Sequence, residues 1–260
     1  MKEIVRLQNV FYEDLLNDYS LSAFENEIVY IQSLSYRSLH VLAEFFSCDK
    51  QMQKGTVFFS GIPYENIDPM VLKHNRIVRV SFGEEFVDNL SVAENMMMNS
   101  ETGQWKKLFN KNQNNRIVKE YLQEYGMDID VEMPMWHCNN AQKRKLSILR
   151  AAMMHAKLIV LEATSHTDEG YQSEEITGLI QKLHEKNISF LILASRYHPV
   201  CRIASRIQYL RYGMNIKEWI SPDESVFELM QEDILSSSSN SIHKKVFTGL
   251  YDYQWTDEKN

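Results

Sequence analysis

Histidine, cysteine and serine are the side chains here that could coordinate a metal or attack a substrate, but their spacing is unfavourable. His137 and Cys138 would make half of a metal site, yet no second His/Cys pair follows at ligand spacing. Ser165 and Ser195 have neither a G-x-S-x-G turn nor a nearby His and Asp to activate a hydroxyl. The residues therefore predict neither a metal site nor a hydrolase.

The composition excludes further classes of function. The 260 residues carry a formal net charge of −7, which argues against a nucleic-acid binder with a basic surface. The three cysteines include no C-x-x-C pair, which excludes a disulfide scaffold and indicates a reducing cytoplasm. No apolar run approaches the roughly 20 residues of a membrane span, and the first residues lack a signal peptide's apolar run. Only 9 residues are glycine, the residue that a phosphate-cradling loop needs.

Apolar runs and amphipathic stretches predict the elements that would position any site. We expect strands at residues 3–10, 26–31, 56–59, 77–80, 157–161, 188–194 and 206–210. We expect helices at residues 39–46, 92–126 with two polar interruptions, 141–155, 174–185 and 199–205. Buried strands that alternate with helices are typical of a parallel sheet covered by helices.

Five segments stand in a characteristic order. They are residues 26–29 (NEIV), 89–95 (NLSVAEN), 126–142 (with Pro134 and Gln142), 205–213 (SRIQYLRYG) and 221–230 (SPDESVFELM). Together they resemble the ATP-binding subunits of ABC transporters, and most closely the monosaccharide-importer group. The resemblance covers roughly residues 3–231, which is the length of a single cassette.

This resemblance implies an α/β fold of the P-loop-NTPase-like ABC cassette type. It would have a mostly parallel core sheet, antiparallel N-terminal strands and an inserted helical subdomain. The expected parts are residues 1–91 and 141–231 for the RecA-like core, 92–140 for the helical subdomain, and 232–260 for a flexible Ser-rich tail. The implied location is the cytoplasm, at the inner face of the membrane.

The phosphate loop of such cassettes, G-x-x-x-x-G-K-[ST], falls on residues unsuited to its chemistry. Its glycines fall on Ser33 and Ser38, its lysine on Leu39 and its magnesium-binding hydroxyl on His40. A charge-assisted hydrogen bond contributes about 1.5–3 kcal/mol, and a non-glycine in left-handed backbone costs about 1–2 kcal/mol. Two or three such losses remove on the order of 5 kcal/mol, more than a thousandfold in affinity. We expect Leu39 and Tyr36 to fill the emptied nucleotide pocket.

The Walker B segment keeps one acid where the family has two. Four apolar residues at 158–161 are followed by Glu162 and Ala163 instead of Asp and Glu. On one alignment Glu162 is the metal-binding acid and Ala163 replaces the catalytic base. On the other, Glu162 is the base and Leu161 replaces the metal-binding acid. Glu162 is thus a vestigial candidate for catalysis on either alignment.

The remaining nucleotide motifs depart from the family as well. The Q-loop glutamine falls on Phe82 and the switch histidine on Ser195. The signature motif L-S-G-G-Q falls on five residues of which the last alone matches: Cys138, Asn139, Asn140, Ala141 and Gln142. Five motifs are lost while the spacing between them is kept, which indicates a degenerate cassette.

The resemblance and these departures together predict a pseudo-ATPase of a sugar-importer-like system, without metal or nucleotide cofactor. It would be a structural or regulatory partner of a membrane permease subunit, a second cassette or another copy of itself. One alternative is a divergent ATPase that binds ATP and Mg²⁺ through backbone amides and Glu162 and energises carbohydrate import. Another is a sensor whose pocket, lined by Leu39, His40 and Phe82, binds a different small ligand.

Two surfaces are implied as partner sites. One is the signature-like face at residues 139–142, which would meet an opposing cassette. The other is a groove with Phe82, Glu85 and Phe86, whose apolar residues and acidic rim suit a basic helix. Packing of Phe82 into the empty Q-loop space is the equal alternative. The basic run 143–145 with Arg150 is interpreted as a solvated helix face, although it could meet phosphates or an acidic partner.

Overall fold

The computed structural model describes residues 2–81, 86–98, 110–163 and 174–237, and it describes side chains up to residue 230. These residues are organised around two β-sheets. The strands are β1 Glu3–Tyr12, β2 Leu16–Phe24, β3 Ile28–Gln32, β4 Lys54–Phe59, β5 Ile62–Tyr64, β6 Ile77–Val80, β7 Leu158–Ala163, β8 Ser189–Ala194, β9 Arg206–Arg211 and β10 Met214–Ile220. The helices are α1 Tyr36–Phe45, α2 Pro69–His74, α3 Val92–Met97, α4 Lys111–Glu124, α5 Asn140–Met153, α6 Glu174–Glu185 and α7 Glu224–Ser237.

The larger sheet has six strands in the order β10-β9-β3-β8-β7-β6. All neighbouring pairs are parallel except β9 and β10, which form an antiparallel hairpin at one edge. Every residue of β3, β7 and β8 is buried, as expected for parallel strands covered on both faces. The predicted parallel sheet is confirmed, and β7 and β8 are neighbours within it.

The smaller sheet is antiparallel, in the order β2-β1-β4-β5. The sequence analysis missed β2 and β5. In β2 the register against β1 shifts, so the buried residues Leu16 and Tyr19 are three positions apart and the period of two is broken. Strand β5 is three residues long and contains a proline, which is a weak strand signal.

Three predicted segments differ in the structure. Residues 92–126 contain two helices, α3 and α4, and residues 99–109 between them lie outside the described part. The predicted helix at 199–205 is a 3-10 helix, Pro199–Ile203. Helix α7 continues to Ser237, so the predicted start of the tail at residue 232 falls inside a helix; residues 238–260 are not among those described. Within the described ranges, no helix is long and apolar enough to cross a membrane.

The six-stranded sheet carries a hydrophobic core on each face. In β3, Ile28 and Tyr30 belong to the core shared with α3 to α7. Val29 and Ile31 belong to the other core, shared with α1, α2 and the antiparallel sheet. Alternate residues of one strand thus serve opposite cores. Helix α1 therefore lies on the same face of the large sheet as the antiparallel sheet.

A buried ion pair joins the two sheets. The guanidinium of Arg206, in β9, donates to both carboxylate oxygens of Glu27 at 2.8 and 3.1 Å and to Glu218 at 2.7 Å. It also donates to the carbonyl and hydroxyl oxygens of Ser22, in β2. The side chains of Arg206 and Glu27 are 10% and 8% exposed. The pair therefore fixes β2 of the small sheet against β9 and β10 of the large one.

We predict that Arg206→Met lowers the free energy of unfolding by about 3–5 kcal/mol, because it leaves the buried Glu27 carboxylate without its cation. Urea denaturation measures this loss. Arg116→Met is the matched control, since Arg116 pairs with Glu120 at an exposed site (74% and 68%); its effect should stay below about 0.5 kcal/mol. Equal losses for the two variants would contradict the assigned role of Arg206.

Candidate functional site

The connection from β3 to α1, where the phosphate loop was expected, is short, and its polar groups form hydrogen bonds with one another. Ser35 caps α1: its hydroxyl accepts from the Ser38 amide at 3.2 Å and from the Ser38 hydroxyl at 2.8 Å. The Ser35 amide donates to the Ser33 hydroxyl at 3.1 Å. None of residues 33–38, all described, has a positive φ, so they form no alternating nest of amides for an anion.

The predicted filling of a nucleotide pocket is wrong for Tyr36. Its side chain is 41% exposed, because it occupies the first helical position of α1, and its ring stacks on His40 with centroids 5.5 Å apart. Leu39 is fully buried, as expected, but in the core shared with Val29 and Ile31. The side chain at the lysine position therefore points under α1 into the core.

Glu162 lies near the carboxyl end of β7, as predicted, and its carboxylate is held from two sides. Oε1 lies 2.7 Å from Nδ1 of His40, in α1. Oε2 accepts from Nη2 of Arg79, in β6, at 2.8 Å. Because an ionised carboxylate can only accept, His40 donates through Nδ1. The side chains of Glu162 and Arg79 are 6% and 14% exposed, whereas that of His40 is 38% exposed, so water reaches this His40–Glu162–Arg79 bridge mainly from the His40 side.

Strand register explains why these side chains meet. Strands β6 and β7 are parallel, with Arg79 opposite Val160. Residues two apart on a strand share a face, so Arg79 and Glu162 both extend towards α1, which carries His40. Arg79 Nη1 also donates to the Ser47 hydroxyl at 2.7 Å and lies 3.3 Å from Asp49 Oδ2. The sequence analysis missed Arg79; its signal was a charged residue inside the apolar strand Ile77–Val80.

The bridge does not suit a magnesium ion of the P-loop type. In P-loop NTPases the loop hydroxyl and the Walker B acid together hold Mg²⁺, at about 2.0–2.1 Å from each oxygen. The matching positions here are His40 and Glu162, and they are hydrogen-bonded directly to each other at 2.7 Å. An imidazole N–H also cannot be a metal ligand. The residues present thus replace the metal contacts with contacts among themselves.

The signature-like segment forms a helix start. Asn139 caps α5: its side chain accepts from the Gln142 amide at 2.8 Å, and its own amide donates to Gln142 Oε1 at 2.9 Å. Asn140 and Ala141 are exposed, whereas Cys138 is buried and burial raises the pKa of its thiol. The one residue that matches the signature motif is therefore engaged in the cap.

The face of α5 predicted to be solvated is partly buried. Arg144 and Arg150 are 7% and 8% exposed, and the Arg150 guanidinium lies 4.5 Å from the centre of the Phe86 ring. The interpretation as a solvated face is therefore wrong for these two arginines. Burial, and then the charge of Arg144, lowers the pKa of His198 to about 4, which keeps that imidazole neutral at pH 7. Ser195, at the switch position, directly follows β8.

The predicted partner groove is only partly within the described residues. Phe82 and Glu85 lie outside them. Phe86 is half-buried and packs against the core, and beyond it Val87 is 47% exposed. Trp136 is 57% exposed, and its backbone lies beside Asp88, because its amide donates to the Asp88 carbonyl oxygen at 3.2 Å.

Comparison with known proteins gives relatives of one kind. No family model matches the chain. The ribose import ATP-binding protein RbsA of Lacticaseibacillus paracasei is 23% identical over 185 residues, 70% of this chain and 36% of its own length. The fructose import ATP-binding protein FruK of Bifidobacterium longum is 23% identical over 186 residues, 69% of this chain and 35% of its own length.

Solved structures of ABC cassettes share the fold. A nucleotide-free ATP-binding cassette from an ABC transporter has a TM-score of 0.69 at 20% identity, covering 94% of this chain and 98% of that one. The ADP form of another cassette has a TM-score of 0.72 at 19% identity, covering 96% and 100%.

The chain therefore has the fold of an ABC ATP-binding cassette, and the resemblance to ATP-binding subunits of the sugar-importer type is confirmed. It spans about a third of the length of these two curated relatives, 36% and 35%.

Proposed function

We propose that this chain is a non-hydrolysing cassette of a sugar-importer-like ABC system, acting as a structural or regulatory partner rather than as an ATPase. The observation that carries the proposal is that the polar groups of the β3–α1 connection form hydrogen bonds with one another. There the Ser35 hydroxyl accepts a hydrogen bond from the Ser38 amide, which would otherwise be available to a phosphate. Leu39 is buried beneath the helix and has no charge with which to bind a phosphate.

The state of Glu162 supports the same proposal for catalysis. A general base must accept a proton from water, so it needs an oxygen within reach of that water. Both Glu162 oxygens accept hydrogen bonds from protein side chains, and the residue is 6% exposed. The sensor alternative finds less support, because the fully buried Leu39 lines no open pocket.

The proposed setting is the inner face of the membrane, beside a permease subunit and a second cassette. The relatives are named as import ATP-binding proteins, and one neighbouring structure is described as a dimeric cassette with ADP and phosphate. A copy of this chain or a cassette with intact motifs would serve as the second cassette.

Calorimetric titration tests the nucleotide claim. With millimolar ATP and Mg²⁺ we expect no saturable heat, because no cradle of amides, lysine or glycines receives the phosphates; phosphate release should equal the protein-free blank. A dissociation constant in the low micromolar range, or turnover abolished by Glu162→Gln, would instead favour the divergent ATPase.

We further propose that the permease docks beside the Q-loop position, on a surface formed by Val87, Asp88 and Trp136. The exposed Val87 and Trp136 offer an apolar anchor, and the Asp88 carboxylate, 64% exposed and paired with Nζ of Lys143 at 3.0 Å, lies at its edge. An amphipathic helix suits such a surface.

Val87→Asp should abolish co-purification with a permease subunit from the same host, and it should leave the melting temperature nearly unchanged because Val87 is exposed. Ile62→Asp is the matched control: Ile62 is 58% exposed, but on the antiparallel sheet, and its complex should persist. Phe86→Asp is a poorer test, since Phe86 packs against the core. Survival of the complex in Val87→Asp would place the partner elsewhere.

A further inference from the structure

We propose that Arg79 is the built-in cation of this cassette: its guanidinium supplies permanently the positive charge that a divalent metal ion supplies beside the Walker B acid in a P-loop site. The inference deepens the proposed function and rests on it in one respect, the assignment of His40 and Glu162 to metal-binding positions. Its evidence is the bridge itself, where both residues bond to protein groups.

The buried carboxylate requires a counter-charge. Glu162 is 6% exposed, and an ionised carboxylate is very costly to bury unless a cation and hydrogen bonds compensate it. Arg79 provides both, at 2.8 Å, from the neighbouring strand. A metal ion at this carboxylate would meet the guanidinium charge beside Oε2 and the imidazole N–H beside Oε1, so its binding is opposed at both oxygens.

A tethered cation differs from a metal ion in that it cannot dissociate. Through Glu162 it connects β6, β7 and α1, and through Ser47 it reaches the segment that follows α1. The position of α1 against the sheet is therefore maintained without any ligand. The bridge also makes a specific claim about chemistry: removal of the guanidinium should leave Oε2 of Glu162 able to take up a metal ion.

Manganese binding without nucleotide tests this claim. Arg79→Met keeps an unbranched apolar stem but removes the guanidinium and its charge, and we expect it to bind Mn²⁺ at least about tenfold more tightly than the unaltered chain, a difference of about 1.4 kcal/mol. Electron paramagnetic resonance of free Mn²⁺ measures the binding. Arg79→Lys, which keeps the cation, should gain no site. The double variant Arg79→Met/Glu162→Gln should lose the site again, which identifies the Glu162 carboxylate as the ligand.

Urea denaturation provides a second readout that does not depend on the metal. Arg79→Met should lower the urea midpoint, and adding Glu162→Gln should raise it again, because the uncompensated buried charge is gone. If Arg79→Met fails to fold, folding of the double variant supports the proposal in the same way. A double variant no more stable than Arg79→Met would overturn it, as would Mn²⁺ binding by the unaltered chain as tight as by Arg79→Met.

These measurements are separable from the test of the proposed function. They use no ATP, so nucleotide binding by the unaltered chain would defeat the non-hydrolysing assignment without deciding the role of Arg79. Conversely, failure of the manganese test would not affect the argument from the hydrogen bonds within the β3–α1 connection.

Discussion

Neutralisation of one buried carboxylate, that of Glu162, is the constraint on which the site depends. The carboxylate stands near the carboxyl end of a fully buried parallel strand, where ABC cassettes and other open α/β sheets place ligands. Here Arg79 and His40 satisfy it from β6 and α1. On the same face of the sheet, α1 begins at Tyr36 and is capped by Ser35. His40 connects this helix to the carboxylate, so the start of α1 and the bridge belong to one set of contacts.

The same physical rule appears at the other end of the parallel strands, where β9 begins with Arg206. Arg206 neutralises the buried carboxylate of Glu27 and ties the small sheet to the large one. Both bridges join elements distant in sequence, and both hold the sheets and helices that frame the β3–α1 connection. Each of the two bridges pairs a buried carboxylate with an arginine of the same chain, so these parts of the cassette fold need no ligand to neutralise them.

Local patterns in the sequence predicted the parallel sheet because its strands are short apolar runs with no competing pattern. They predicted the position of Glu162 for the same reason, because a charged residue directly after an apolar run indicates the carboxyl end of a buried strand. Strand β2 escaped detection because a register shift against β1 breaks its alternation. The burial of Arg144 and Arg150 was missed because a run of charged residues does not indicate which other parts of the chain pack against its helix.

The contacts of the site depend on how strands pair with one another, which the spacing of residues along the sequence does not encode. No local rule connects Arg79 with Glu162, which are 83 residues apart. Parallel register alone places them on one face. Tyr36 was assigned to the pocket by motif position, but the early start of α1 turns it outward. The sequence therefore predicted where Glu162 lies, whereas its contacts with Arg79 and His40 became visible only in the structure.

A crystal structure determined with Mg²⁺ and a non-hydrolysable ATP analogue at millimolar concentration would test the central claim most directly. We expect that His40 Nδ1 and Glu162 Oε1 remain in hydrogen-bond contact, that Arg79 stays on the carboxylate, and that no phosphate density lies over α1. A metal ion between His40 and Glu162, with Arg79 displaced and phosphates seated on the helix start, would contradict it.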